Sequence, residues 1–149
     1  MIKNILFIDD DEDDVEIFKE IIHEISTDIN ILCLSNGLEI EEVLTHWLPD
    51  IIFIDYNMPF INGIDCLKMI RRNKNFNKIP IIFYSSYFDK VKEAYKNGAN
   101  YVIIKQARVE NIKSSIQTVL NRNWDDEKTF KKFEMIAKDD QNYQLNFFH

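Results

Sequence analysis

Residues 51–63 read IIFIDYNMPFING, and the pattern of this segment indicates the fold class. It places a continuous apolar run, Ile51–Ile54, directly before Asp55 and a turn that contains Pro59 and ends at Gly63. A short unbroken run of β-branched and aromatic residues is typical of a strand buried on both faces, as in a parallel sheet. The carboxylate of Asp55 is therefore expected at the carboxyl end of a central buried strand.

Four similar apolar runs lie before and after this strand in the chain. They are Ile5–Ile8, Ile29–Leu34, Ile79–Tyr84 and Tyr101–Ile104. The segments between the runs have apolar residues at helical spacing, the first of them at Val15, Phe18, Ile21, Ile22 and Ile25. A strand followed by a helix, repeated in this way with right-handed crossovers, gives an α/β fold with helices on both faces of a parallel sheet.

Composition limits the classes of protein that this chain can be. Its 18 Lys and Arg against 25 Asp and Glu give a net charge of −7, which argues against nucleic acid as a partner because phosphate contacts need clustered cations. No apolar run approaches the roughly 20 residues of a membrane helix, and the N-terminus does not have the pattern of a signal peptide. The two cysteines, Cys33 and Cys66, are expected to be reduced. We expect a cytoplasmic protein.

Polar side chains follow the strands at one common edge. Asp9 and Asp10 follow the first strand, Asp55 the third, Ser85 the fourth and Lys105 the fifth. In such sheets ligands bind beyond the carboxyl ends of the strands. Neighbouring carboxylates repel one another and all stay ionised only around a cation, for which Mg²⁺ fits an incomplete shell of oxygen ligands. The lysine and the hydroxyl suit the oxygens of a phosphoryl group.

The positions of these residues suggest their roles. Asp55 projects from a turn on the central strand and is the best candidate nucleophile. Asp9 and Asp10 are expected to hold the metal, and a backbone carbonyl at Asn57 could complete the coordination. Lys105 would neutralise the transferred phosphoryl group in the transition state.

Other charged residues are interpreted as solvated. The acidic ones are Glu12, Asp13 and Asp14, which are expected in the first turn of a helix. The basic ones are Arg71, Arg72, Lys74 and Lys78, which are expected in a loop.

Taken together, these elements resemble the receiver domains of two-component response regulators over roughly Lys3 to Leu120. The resemblance includes the acid pair after ILFI, the stretch IIFIDYNMPFING, the strand IPIIFYSS and the segment NGANYVIIK. It implies a doubly wound, flavodoxin-like sheet of five parallel strands in the order 2-1-3-4-5, with five flanking helices. It also implies a receiver domain at residues 1–121.

The resemblance further implies a function and its residues. Asp55 would be phosphorylated, Ser85 would be the hydroxyl that follows the phosphoryl group, and Lys105 would be the salt-bridge partner of that group. The implied Mg²⁺ ligands are Asp9, Asp10, Asp55 and the backbone carbonyl of Asn57.

The implied partners are proteins. A sensor histidine kinase or a histidine phosphotransfer protein would exchange phosphate with this site, and a downstream protein would bind the fourth helix, fifth strand and fifth helix. The sequence does not separate a final output from a phosphorelay intermediate. Beyond self-phosphorylation and autodephosphorylation, no enzymatic activity is expected.

Two positions depart from the family pattern. Gln106 stands where receivers usually carry a proline, joined to the lysine by a cis peptide bond. The position of the usual switch aromatic is Val102, and Tyr101 lies one residue earlier, which places it on the opposite face of the sheet. These departures leave open a pseudo-receiver, a docking module that is never phosphorylated.

A phosphohydrolase of the haloacid-dehalogenase type is a further, less favoured alternative. It would use Asp9 as nucleophile within a DxD pair with Asp11. Its final acidic pair should close a strand, yet Asp125 and Asp126 follow a helical stretch, and the segment DYNMP has no role in it. The residue that becomes phosphorylated distinguishes the two families, because the hydrolase requires Asp9 and the receiver requires Asp55.

Residues 122–149 lie outside the resemblance and are too short for a separate effector domain. The spacing over Trp124 to Lys138 predicts one extra helix with Phe130, Phe133 and Ala137 on one face. The residues beyond it are unusually apolar, namely Tyr143, Leu145, Phe147 and Phe148. They leave three options open: packing on the domain, on a second copy in a homodimer, or on another partner.

Overall fold

The computed structural model describes residues 1–105 and 108–126, together with two further strands at 133–138 and 142–147. The strands of the main sheet are β1 Asn4–Ile8, β2 Asn30–Leu34, β3 Ile51–Ile54, β4 Ile81–Ser85 and β5 Tyr101–Ile104. They pair in parallel in the order β2-β1-β3-β4-β5. The predicted doubly wound sheet and its strand order are confirmed.

Helices cover both faces of this sheet. They are α1 Glu12–Ile25, α2 Ile40–His46, α3 Gly63–Arg72, α4 Val91–Lys96 and α5 Val109–Leu120. One core lies under α1 and α5 and contains Phe7, Phe18 and Tyr84, with the rings of Phe7 and Phe18 stacked at 4.1 Å. The other core lies under α2, α3 and α4. Because each fully buried side chain contributes about 1.5–3 kcal/mol, these two layers hold the strand ends in fixed positions.

Strand β2 is less buried than its apolar sequence predicts. It lies at the edge of the sheet, beside β1 alone, and Leu32 keeps 37% of its surface exposed. An apolar run identifies a strand, but it does not show how completely the flanking helices cover both faces of a strand at the edge of the sheet. The prediction of a strand was right, and the prediction of burial on both faces was wrong for β2.

Tyr101 and Val102 of β5 lie on opposite faces of the sheet, as the sequence predicts. Val102 packs in the core under α2, α3 and α4, and Tyr101 packs in the opposite core. Tyr95 of α4 reaches the edge of the sheet, where its hydroxyl accepts a hydrogen bond from the Val102 N–H at 3.1 Å. The guanidinium of Arg122 lies 5.2 Å from the centroid of the Tyr101 ring. Gln106 lies outside the described residues.

Arg71 corrects one of the solvated groups. Its guanidinium donates to the carbonyls of Gly98 at 3.0 Å and Phe76 at 3.2 Å, and to Oδ1 of Asn100 at 2.7 Å. Burial lowers the pKa of Arg71 to about 10. The same Asn100 oxygen also accepts the Ile81 N–H at 2.8 Å. Arg71 therefore joins the end of α3 to the starts of β4 and β5, and its interpretation as a solvated residue was wrong.

The C-terminal segment contains two strands, β6 Phe133–Lys138 and β7 Asn142–Phe147, paired antiparallel. The predicted helix over residues 124–138 is wrong for residues 124–126, which form turns, and for residues 133–138. Polar and apolar residues alternate in NYQLNF, the period of a strand, and this pairing partner favours the extended form. The three options for the packing of its apolar residues concern side chains outside those that the structure describes.

Within the part of the chain that the structure describes, no helix has both the length and the apolar character that a membrane span requires.

Candidate functional site

The carboxyl ends of the strands open into an acidic cavity of about 570 Å³. Its acidic lining residues are Asp10, Asp11, Glu12, Asp13, Asp14 and Asp55. Asn57, Ser86, Tyr87 and Lys105 complete the lining. The predicted convergence of strand ends is therefore present, with a larger acidic wall from the start of α1 than the sequence interpretation assigned to it.

Three carboxylates form the floor of this region. Asp9, Asp10 and Asp55 each offer one oxygen, and these oxygens lie within 4.8 Å of one another. The sheet fixes two of the three residues, because the Asp9 N–H donates to Leu34 O at 3.0 Å and the Asp55 N–H donates to Ile8 O at 2.9 Å. Asp9 and Asp55 are 3% and 7% exposed, whereas Asp10 is exposed.

Burial makes the ionised forms of these acids unfavourable. It raises the pKa of Asp55 to about 6, an effect that the charge of Lys105 opposes and the charge of Asp9 reinforces. Burial also raises the pKa of Asp9, against its hydrogen bond from Lys105. Clustered, desolvated carboxylates of this kind are the donor set that a hard divalent cation fits.

Lys105 is the cation that the fold itself supplies. Its Nζ lies 2.6 Å from Asp14 Oδ2, 2.8 Å from Asp9 Oδ2 and 3.4 Å from Asp55 Oδ1, and 5.0 Å from the centroid of the Tyr84 ring. Burial alone would lower the pKa of Lys105, but the hydrogen bonds to Asp14 and Asp9 outweigh it and raise the pKa. The ammonium therefore stays charged beside Asp55.

Asp14 is a site residue that the sequence interpretation missed. It was assigned to a solvated first turn, yet its carboxylate makes the shortest contact of Lys105. The signal was present in the spacing, because Asp14 lies on the same helical stripe as Phe18, Ile21 and Ile25, which faces the sheet. A carboxylate on the inward stripe at the start of α1 is directed toward the strand ends.

The predicted serine lies deeper than the cavity. Ser85 has no exposed surface, and its Oγ accepts the Tyr87 N–H at 3.2 Å. The residue that lines the cavity is the next one, Ser86, which the sequence interpretation did not single out. Asn57 also lines the cavity, and Met58 packs in the core beside it.

The hydrolase alternative does not fit this geometry. Asp11 caps α1, where its side chain accepts the N–H groups of Asp13 and Asp14. Asp125 lines a different pocket with Met1 and Asp50, near the amino ends of the strands. The second acidic pair of that family would therefore lie at the wrong edge of the sheet.

Comparison with known proteins identifies the family. The model of the response regulator receiver domain matches residues 5–117, which include each strand end described above. The chain belongs to this family. Receiver domains are signalling modules of two-component systems, and the resemblance seen in the sequence is thereby confirmed.

Relatives of this receiver differ in how much of their length it matches. The regulatory protein LuxO of Vibrio campbellii is 26% identical over 130 residues, which cover 86% of this chain and 27% of LuxO. The chain therefore spans about a quarter of that relative. Chemotaxis protein CheY1 of Helicobacter pylori is 29% identical over 122 residues, 80% of this chain and 98% of CheY1.

Solved structures agree on the fold. The response regulator TrrA from Thermotoga maritima, solved in complex with Mg²⁺ and BeF, superposes with a TM-score of 0.67 at 24% identity. The match covers 78% of this receiver and 98% of TrrA. At this level of identity the comparison supports the architecture of the sheet and its helices.

Proposed function

We propose that this receiver takes a phosphoryl group from the phosphohistidine of a signalling partner onto Asp55. The observation that carries the proposal is the position of Lys105 Nζ, 3.4 Å from Asp55 Oδ1, beside three carboxylates whose oxygens lie within 4.8 Å of one another. A nucleophile, a cluster suited to a cation, and a fixed ammonium are the parts that phosphoryl transfer requires.

The reaction is a displacement at phosphorus. An Asp55 carboxylate oxygen attacks, a P–O bond forms as the P–N bond to the donor histidine breaks, and the imidazole nitrogen leaves with the electron pair. In autodephosphorylation, water attacks the same phosphorus and releases phosphate and the Asp55 carboxylate. Lys105 would face the negative charge on the transferred group. Ser85, which is fully buried behind the cavity, would move toward the phosphoryl group so that its hydroxyl donates a hydrogen bond to one of the oxygens.

The donor set fits Mg²⁺. Asp9, Asp10, Asp55 and the backbone carbonyl of Asn57 would hold the ion, and the presence of Mg²⁺ in the complex of TrrA supports this assignment. A bound Mg²⁺ would supply positive charge for the oxygens of the phosphoryl group. The chain itself fixes the positions of the other groups: β1 and β3 hold the acids in place, and β5 holds the lysine.

The partners belong to the same proposal. A sensor histidine kinase or a histidine phosphotransfer protein would be the donor, and a downstream protein target would bind the face formed by α4, β5 and α5. A homodimer and a cytoplasmic location stay predictions. The membership of the family supports partners of this class, because receivers pass a signal through protein contacts.

Incubation with Mg²⁺ and acetyl phosphate tests the proposal directly. The wild-type protein should gain the mass of one phosphoryl group, and mapping should place it on Asp55. The Asp55→Asn variant should gain nothing. Asp65→Asn is the matched control, since Asp65 is an acid in the first turn of α3 and does not line the cavity.

Each other outcome has a distinct meaning. A wild-type protein that gains no mass, under conditions that modify another receiver, would favour the docking module. A phosphoryl group mapped to Asp9 would favour the hydrolase. Either result would overturn the assignment of Asp55.

A further inference from the structure

The ammonium of Lys105 has three directed contacts in the described structure. Two are hydrogen bonds, to Asp14 Oδ2 at 2.6 Å and Asp9 Oδ2 at 2.8 Å, and the third is the longer contact to Asp55 Oδ1 at 3.4 Å. A lysine ammonium has three protons to donate. The carboxylate of Asp14 therefore makes a shorter contact with Lys105 than either strand-end acid.

Asp14 differs from the other two partners in its position. Asp9 and Asp55 belong to the cluster that fits a cation and are nearly buried, whereas the Asp14 side chain is 32% exposed and lies outside that cluster. Water can therefore solvate Asp14 when its contact with Lys105 breaks. Of the three contacts, this one can be given up at the lowest desolvation cost.

We infer that Asp14 is a positioning residue that holds Lys105 in the unphosphorylated protein and competes with phosphorylated Asp55 for its ammonium. The inference rests on the proposed phosphorylation of Asp55. Phosphorylation would change the charge at residue 55 from −1 to about −2 and add oxygens that accept hydrogen bonds. Lys105 would then turn from Asp14 to the phosphoryl group, and the carboxylate in the first turn of α1 would be released to solvent.

Removal of the Asp14 charge should therefore speed the phosphorylation of Asp55. With Mg²⁺ and acetyl phosphate, Asp14→Asn should raise the rate constant about fivefold, equivalent to about 1 kcal/mol in the barrier. In that reaction the acetyl P–O bond breaks and acetate leaves. Asp13→Asn is the matched control, because Asp13 lines the same cavity in the same helical turn and makes no contact with Lys105 in the described structure.

A second comparison separates competition from a general effect of charge. In a Lys105→Met background, the change Asp14→Asn should leave the rate unaltered, since no ammonium remains to be held. Equal rates for Asp14→Asn and Asp13→Asn would overturn the inference. So would an acceleration by Asp14→Asn that persists without the lysine.

An equilibrium measurement keeps the inference testable if acetyl phosphate modifies no residue. In the metal-free protein, a nitrogen-15 spectrum of the lysine ammonium groups should contain a slowly exchanging signal that Lys105→Met removes. Asp14→Asn should weaken or shift this signal, and Asp13→Asn should leave it in place. An unchanged signal in Asp14→Asn would contradict the contact itself, whatever the fate of the proposed function.

Discussion

At the scale of single residues, Asp55 is only 7% exposed, and this burial raises the pKa of its carboxyl group to about 6. In the unfolded chain the same group has a pKa near 3.9. Between these two values the folded state holds a proton that the unfolded state has released, so the stability that this group contributes is lost as the pH rises from about 4 through about 6. The loss corresponds to roughly 2–3 kcal/mol at pH 7.

The substitution Asp55→Asn should therefore stabilise the metal-free protein at pH 7.5 by roughly 2 kcal/mol, because the amide carries no buried charge. At pH 4 the carboxyl is protonated in the folded state and about half protonated in the unfolded chain, so most of this difference should be gone and the variant and the wild type should unfold at similar urea concentrations. Urea denaturation in the presence of a chelator at both pH values measures this. A variant that is no more stable than wild type at pH 7.5 would show that Lys105 compensates the buried charge in full.

The site residues divide into those that sequence could and could not predict. Asp9, Asp55 and Lys105 could be predicted because each directly follows an apolar run, and Asp10 because it is the next residue after Asp9, so the end of the strand gives their location. The contact of Asp14 could not be assigned with the same ease, since it depends on a lysine that is distant in sequence and is placed by β5. A charged residue near a helix start is usually satisfied by water. The stripe that Asp14 shares with Phe18 indicates the direction of its side chain, but the identity of its partner depends on tertiary packing.

At the scale of elements, the turn from β3 into α3 brings the helix start against the backbone of Asp55. A Cβ added at Gly63 would lie 2.1 Å from the Asp55 carbonyl oxygen and 2.9 Å from the Tyr56 Cα. The Gly63 N–H also donates to the Tyr56 carbonyl at 2.8 Å. The absence of a side chain at Gly63 thus allows the close approach that directs Asp55 into the cavity.

We expect Gly63→Ala to lower the free energy of unfolding by about 2–4 kcal/mol, because backbone atoms on both sides of the contact must shift. It should also slow phosphorylation by acetyl phosphate, since the shift moves Asp55. Gly37→Ala is the comparison: its added Cβ would meet side-chain atoms, Cys66 Sγ at 2.2 Å and Ile61 Cδ1 at 2.7 Å. With Cys66→Ala to make room, Gly37→Ala should leave the phosphorylation rate near wild type. Equal rates for both glycine variants would contradict the role assigned to Gly63.

Elements were predicted well where one period dominates the sequence. The five strands of the main sheet came from apolar runs, and α1 came from its apolar stripe. The segment 133–138 was assigned to a helix because Phe130, Phe133 and Ala137 fit helical spacing, although its strand partner at 142–147 alternates polar and apolar residues. Short segments fit either period, and the pairing of two strands is a nonlocal property that a single window does not contain.

At the scale of the whole molecule, the fold gathers acidic residues from β1, β3 and α1 at one end of the sheet. A cation bound there would bind the folded state and not the unfolded chain, in which these acids are far apart. Mg²⁺ should therefore stabilise the entire domain by mass action. The gain is about 2.7 kcal/mol when the free ion exceeds its dissociation constant a hundredfold.

The expected measurement is a thermal midpoint that rises with Mg²⁺ concentration and falls again when a chelator is added. For a domain of this size the rise is about 5–10 °C at that excess of ion. Asp10→Asn should reduce the rise, because Asp10 is the exposed member of the three-carboxylate cluster and its loss leaves the buried members in place. Asp65→Asn, an exposed acid in α3, should leave it unchanged. Sodium chloride at matched ionic strength separates binding from screening, and an equal rise in sodium chloride would contradict a specific divalent site at the ends of β1 and β3.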